Sequence, residues 1–196
     1  QGGEPTLLGL EYFEIAFALQ QKHCPQGWQI INTLQTHGGN LDADWARFLK
    51  SQDVLVGLSI DGPKSIHDLA RKDRKGRSTF QATRSAVRLL QDHGIEFNTL
   101  TVVHAGNAAN GAVIYRFLRR IGVRHMQFIP LIERHGKDGL DAGPPSASLD
   151  RIAPWSLTRE GYGEFLCAVF DQWIKADVQK ISIQHFDVLL HGHLNL

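Results

Sequence analysis

Cysteine is almost absent: the 196 residues contain only Cys24 and Cys167, far apart in the chain. Neither belongs to a C-x-x-C or comparable spacing, which excludes a disulfide framework and a metal site built from this chain's own thiols. Both are expected to be buried or half-buried structural thiols. An excess of either charge is also missing, since 21 basic residues face 20 acidic ones for a net charge of +1. That balance provides no global field for nucleic acid, an anionic membrane or an acidic partner, so neither nucleic acid nor membrane is expected to bind. No apolar run is long enough to cross a bilayer, and no charged, apolar and small-residue leader is visible. A cytoplasmic location is the resulting expectation.

Core material, by contrast, is ample. With 42% hydrophobic and 9% aromatic residues, the chain can build one substantial domain. It opens on Gln1-Gly2-Gly3-Glu4-Pro5-Thr6. Paired glycines let a backbone turn sharply and approach a ligand closely, and Pro5 suits the first turn of a following helix. The stretch reads as the end of a buried strand whose upstream half is not in the sequence.

A regular alternation follows. Leu10, Phe13, Ile15, Phe17, Ala18 and Leu19 predict a helix over 7–23, stopped by His23-Cys24-Pro25-Gln26-Gly27. A strand is expected over 28–34, then a helix from Asn40-Leu41-Asp42 through Trp45, Phe48 and Leu49. Residues 54–60 form a continuous apolar run, of the kind buried on both faces in parallel sheets. Next come a helix over 79–93 with Gly94 as its C-cap, a strand over 97–103, a helix over 110–121 ended by Gly122, and a strand over 125–132. Residues 133–157, rich in Gly, Pro, Ser and Asp, read as a long surface loop or linker. Thr158 then starts a helix through Phe165, Phe170 and Trp173, whose apolar face reads as ordinary core, and 180–190 reads as a short strand or helix. Strands alternating with helices predict βαβ units and a parallel α/β sheet, open or closed.

In such folds ligands collect at the C-terminal ends of the strands. Those ends offer Gly2-Gly3-Glu4-Pro5, the small polar stretch 35–40, Ser59-Ile60-Asp61-Gly62-Pro63 followed by His67, Asp68, Arg71 and Lys72, then His104-Ala105-Gly106-Asn107 and Pro130-Leu131-Ile132-Glu133. Paired glycines expose backbone groups that can hold an ammonium or a carboxylate, while a serine hydroxyl and an arginine fork suit a carboxylate. Together they fit an amino-acid-like ligand. Each alone also has an ordinary reading, as a turn, a strand exit or a solvated charge run. His191 and His193 look like a metal-ligand pair, but with no partner carboxylate at useful spacing they read as part of a polar surface loop.

In order and spacing, "QGGEPTLLGLEYFE", "LQTHGG", "VGLSIDGPKSIHDLARKDRKGRSTF" and "HMQFIPLIE" resemble radical S-adenosylmethionine enzymes, and among them the anaerobic sulfatase-maturating enzymes with a cysteine-rich C-terminal extension (SPASM-type). The resemblance is weakest over 135–157. It implies an α/β fold, a partial TIM-like (β/α)6 radical SAM barrel lacking its N-terminal βα unit: barrel core over 1–134, a loop or linker over 135–157, and the last helix and strand over 158–196, leading to a Cys-rich domain. It implies S-adenosylmethionine and [4Fe-4S] clusters as cofactors. The cluster-binding C-x-x-x-C-x-x-C loop of the family is not in this sequence, so no catalytic or metal-ligating residue is assigned here.

The resemblance places Gly2, Gly3, Glu4 and Pro5 in the cofactor-binding GGEP motif, with Ser59 and Arg71 near the methionine end, Asp61 as a further cofactor-binding residue, Ile132 beside the adenine and Gln1 near the substrate peptide. The implied reaction oxidises a Ser or Cys of a sulfatase polypeptide to Cα-formylglycine through a 5'-deoxyadenosyl radical, with a ferredoxin or flavodoxin as electron donor. The chain alone is expected to be inactive. Another SPASM-type enzyme installing a thioether or crosslink, or a non-catalytic truncated SAM-binding domain, are the alternatives.

Overall fold

The computed structural model describes residues 3–136, 139–140 and 152–194. They fall into two compact units, one drawn from Gln1–Ile60 and Arg71–Thr99, the other from Asp61–Ala70 and Leu100–Leu196.

The first unit starts with a 3-10 turn, Pro5–Leu8, with Pro5 at its first position. Gly9, at φ 82°, separates it from α1, Leu10–His23. The expected helix from Leu7 therefore starts later, because the left-handed backbone at Gly9 cannot continue the turn. No residue of α1 is fully buried, and Leu8, Tyr12, Ile15 and Leu19 are each more than half exposed. Phe13 and Phe17 meet the edges of Trp45 and Phe48 on α2, Ala43–Ser51. Asp42 caps α2 by accepting from the N–H groups of Asp44 and Trp45, a contribution of about 1 kcal/mol.

Strand β1 covers Thr33–Thr36 and β2 covers Leu55–Ser59, paired in parallel with Thr33 opposite Leu55 and Thr36 opposite Leu58. The strand expected over 28–34 is thus displaced. Trp28 and Ile31 have strand-like side chains but are 75% and 76% exposed, since the ladder with β2 begins only at residue 33. β propensity without a partner strand does not make a strand. The expectation that 54–60 is buried on both faces also fails in part: Val56 and Leu58 are sealed, while Leu55 is 46% exposed. Helix α4, Phe80–Asp92, lays Thr83, Ala86, Val87 and Leu90 inward at helical spacing, and Gly94 at φ 59° follows its end. Strand β3, Phe97–Val103, begins beside β2 and runs on into the second unit.

The second unit includes α3, Lys64–Ala70, a helix to which the sequence reading assigned no element. Lys64 and Asp68 pair one turn apart on it. Helix α5, Gly111–Arg120, ends before Gly122 at φ 82° and leads into β4, His125–Pro130. Two short strands, β5 at His135–Gly136 and β6 at Gly139–Leu140, pair antiparallel, and Arg134 bridges to Ile152. Thr158 caps α6, Arg159–Trp173, by accepting from Gly161 N–H. The segment read as strand or helix is both: β7, Ser182–Ile183, pairs in parallel with β4, and α7, Gln184–Leu194, follows directly. The strand order in this unit is β3-β4-β7, and in the first it is β1-β2-β3, five strands of parallel sheet.

Phe165 and Trp173 of α6 are sealed in the core as expected, whereas Phe170 is 37% exposed. Gly111 lets α5 approach α6, because a Cβ there would lie 2.6 Å from the Phe165 carbonyl oxygen. Deeper in the same packing, the Tyr115 hydroxyl donates to Asp177 at 2.7 Å, and Arg119 closes on Asp177 at 3.0 Å. Burial and the Asp177 carboxylate both push the Tyr115 hydroxyl far above the usual tyrosine range.

Candidate functional site

In the first unit the site begins with the loop that precedes β1. Gln1 and Gly2 lie outside the described residues. Gly3 adopts φ 63°, a left-handed conformation suited to glycine, and Pro5 opens the 3-10 turn. Between them, Glu4 turns its carboxylate back onto the protein. Oε1 accepts from the Thr6 N–H at 3.2 Å, the Thr6 hydroxyl at 2.6 Å and the Thr36 hydroxyl at 2.7 Å. Oε2 accepts from the His37 N–H at 2.8 Å, and His37 Nε2 lies 3.2 Å away. Burial alone would push this carboxyl up, but the hydrogen bonds from His37, Thr6 and Thr36 outweigh it and hold it below the ordinary glutamate range. Glu4 thus fastens the glycine loop to the exit of β1.

The exit of β1 is built to receive it. The Thr36 hydroxyl donates to Glu4 and accepts from Gly38 N–H at 3.0 Å, and Asn40 donates to the Thr6 hydroxyl. His37 Nδ1 accepts from Gly39 N–H at 2.9 Å, so the ring proton sits on Nε2, toward Glu4. Gly38, at φ 79°, has no room for a side chain: a Cβ would lie 2.6 Å from the Ala86 Cβ. The sequence reading noted this stretch as small and polar but gave Thr36 and His37 no role. The available signal was an acceptor-rich Glu4 in one loop and a Thr-His pair at the next strand end.

Ser59 ends β2 and is half-buried; since Thr36 pairs with Leu58, it follows the strand position beside the clamp. Arg71 is half-buried, and its carbonyl oxygen accepts from the Thr79 hydroxyl. The charge-rich stretch after it is an ordered turn: the Asp73 carboxylate accepts from the N–H groups of Lys75 and Arg77 and pairs with the Arg77 side chain. These bonds lower the Asp73 carboxyl below its ordinary value. A groove of about 720 Å³ between α1 and α2, lined by Leu10, Phe17, Arg47 and Phe48, contains none of the candidate residues.

In the second unit Asp61 is 2% exposed, and its Oδ1 accepts from the Val102 N–H at 2.9 Å. Its own N–H faces Nδ1 of the fully buried His67 at 3.3 Å. Asp61 therefore ties the segment after β2 to β3. Ile132, 66% exposed, lies just beyond β4, and the preceding Leu131 N–H donates to the Val103 carbonyl at 2.8 Å. Glu133 is held by Ser156 and by the Trp155 indole.

The metal-ligand alternatives find no geometry. Among the described residues no three His, Cys, Asp or Glu side chains come together as a metal site. Cys24 is half-buried with its thiol toward the Trp28 carbonyl, but Cys167 is exposed, contrary to the expectation of burial. His191 and His193 lie on α7 rather than in a loop, and His193 is exposed. No helix among the described residues is long and apolar enough to cross a membrane.

Parallel strands alternating with helices, with the glycine loop fastened to the exit of β1, define an α/β protein. Residues 1–118 match the Radical SAM superfamily, and the chain belongs to that superfamily. It is 37% identical over 192 residues to a serine-type anaerobic sulfatase-maturating enzyme of Bacteroides thetaiotaomicron, covering 96% of this chain and 46% of that protein. It is 40% identical over 196 residues to a cysteine-type enzyme of Clostridium perfringens, covering 97% of this chain and 49% of the relative. A solved structure described as native anSMEcpe with bound AdoMet and Cp18Cys peptide superposes with a TM-score of 0.84 at 39% identity, over 99% of this chain and 51% of that one. The chain spans about half the length of the curated relatives it matches.

Proposed function

We propose that this chain is the cofactor-binding part of a radical S-adenosylmethionine enzyme that oxidises a serine or cysteine of a sulfatase polypeptide to Cα-formylglycine. The observation that carries this reading is similarity along nearly the whole chain to both serine-type and cysteine-type anaerobic sulfatase-maturating enzymes. In keeping with it, 158–196 leads toward a cysteine-rich domain, the barrel core ends near 134, and the protein works in the cytoplasm with a ferredoxin or flavodoxin as reductant.

The residues present fit the cofactor. Gly3 turns a loop whose one acidic side chain is already committed, leaving backbone carbonyls for an ammonium group. The Ser59 hydroxyl and the Arg71 guanidinium suit a carboxylate, and the exposed Ile132 suits a flat base. Asp61 acts by holding the backbone that follows Ser59. By the resemblance Gly2 belongs to the cofactor-binding glycine motif and Gln1 contacts the substrate peptide. Bound S-adenosylmethionine supplies a carbon-centred oxidant able to take a hydrogen atom from the substrate Cβ. The residues do not fit an iron–sulfur cluster, since two separate cysteines cannot ligate one, so the [4Fe-4S] clusters rest on residues outside this chain.

Two measurements test the reading. The purified chain should bind S-adenosylmethionine, with Ser59→Ala and Arg71→Ala each weakening it about tenfold or more, yet should not cleave it when reconstituted with iron and sulfide. The full-length protein, reduced and supplied with a peptide carrying a sulfatase serine or cysteine, should convert that residue to formylglycine by mass spectrometry. A thioether or crosslinked product instead would overturn the assignment.

A further inference from the structure

Positive charge gathers on one stretch of the second unit. Between Glu96 and Glu133 the sequence holds four arginines, Arg116, Arg119, Arg120 and Arg124, and no aspartate, glutamate or lysine. In a chain of net charge +1, the acids that balance them therefore lie elsewhere in the sequence. Three of the four stand on α5, and all four are exposed. Val113, Arg116, Phe117 and Arg120 recur at the three- and four-residue spacing that puts side chains on one helix face. With Pro63 and Arg119 they line a groove of about 520 Å³, and every one of these residues belongs to the second unit.

Two ordinary roles account for only part of this charge. Arg119 closes on the buried Asp177 at 3.0 Å, and basic residues in the last turn of a helix complement its macrodipole. That dipole end amounts to about half a negative charge, against two arginines in the last turn and a third one turn before it. Arg116 reaches only the neutral Gln172, at 3.4 Å, and no carboxylate pairs with Arg116, Arg120 or Arg124 among the described residues. The floor between them is apolar, with Phe117 buried and Val113 41% exposed. Arginine forks around an apolar floor make a protein contact, and they select carboxylates. Size and place then choose the partner. A small groove with a charged rim suits the brief, charge-guided encounters of electron-transfer proteins better than a permanent interface. Between parallel strands the helix runs back against them, so the last turn of α5 lies away from the strand exits and near the start of β4. A substrate peptide has to reach those exits, whereas a reductant has only to dock.

We propose that the arginine groove of α5 docks the acidic surface of the electron-donor protein, an inference that rests on the function proposed above. Arg116 and Arg120 are docking residues here, with no part in the chemistry at the substrate.

The test uses the full-length protein and an acidic flavodoxin, with affinities from calorimetry and formylglycine read by mass spectrometry. The parent should bind flavodoxin, and should weaken about tenfold or more as ionic strength rises from about 0.05 M to 0.5 M. Arg116→Glu and Arg120→Glu should each raise Kd about tenfold with unchanged circular dichroism, and together about a hundredfold. Lys22→Glu makes the same charge change at an exposed position on α1 and should stay within about twofold of the parent. With reduced flavodoxin as electron source the double variant should need correspondingly more donor, while with dithionite its turnover should equal the parent's. No binding of flavodoxin by the parent, or an affinity that the charge reversals leave unchanged, would overturn the docking site while leaving the proposed function intact. Absence of formylglycine from the parent supplied with dithionite would overturn that function and this inference with it. Loss of sulfatase-peptide binding in the variants, with flavodoxin binding retained, would give the groove to the peptide and overturn the proposal as well.

Discussion

Replacing Glu4 by glutamine removes half of the clamp on the glycine loop without changing its shape. If the new amide oxygen stays toward Thr6 and Thr36, the amide NH₂ faces the His37 N–H and the proton on His37 Nε2, so donors meet donors where Oε2 accepted at 2.8 Å and 3.2 Å. A hydrogen bond to a charged acceptor contributes about 1.5–3 kcal/mol. The contact with the His37 ring, 45% exposed, adds less because water screens it. The loop can relax somewhat, so Glu4→Gln should cost about 2–3 kcal/mol. Urea unfolding followed by circular dichroism would read this as a lower midpoint at unchanged slope. Hydrogen exchange adds a local readout: the amides of His37 and Gly38 should lose protection before those of the strand core. A stability within about 0.5 kcal/mol of the parent, with both amides still protected, would refute the clamp.

The same carboxylate fixes a pH dependence. Its folded value lies below the ordinary 4.5, so its stabilisation is complete above that pH and is lost as pH falls through the lower folded value. The stability gap between the parent and Glu4→Gln should accordingly stay constant above about pH 5 and close under acid, as pH-resolved urea titrations would show. Gly38→Ala should destabilise by about 3 kcal/mol or more, since φ 79° is strained for alanine and its Cβ would meet Ala86 and Leu58 at 2.6 and 2.7 Å. Thermal unfolding would check it. Tyr115→Phe should cost about 1–2 kcal/mol, because Asp177 loses the donor at 2.7 Å but keeps Arg119 at 3.0 Å. The double variant with Arg119→Ala should lose more in total than the sum of the two single changes, the mark of a carboxylate left buried without a donor.

Local signals carried much of this protein into view. Alternating apolar runs and helix caps are short-range features, so Asp42, Thr158, Gly94 and Gly122 marked helix ends that the structure keeps, and 97–103 is the strand that its side chains predict. The order of motifs from GGEP to QFIPLIE pointed to the superfamily because spacing along a chain survives without coordinates. What depends on partners distant in sequence was decided by the tertiary structure. Trp28 and Ile31 have the side chains of a strand but no ladder, while Thr33–Thr36, less apolar, is the segment that β2 pairs. Cys167 carries no local mark of its exposure, which follows from which face of α6 packs inward. Glu4 reads in the sequence as one more cofactor contact, and only folding brings it to Thr36 and His37, more than thirty positions away, where its charge is spent on the loop.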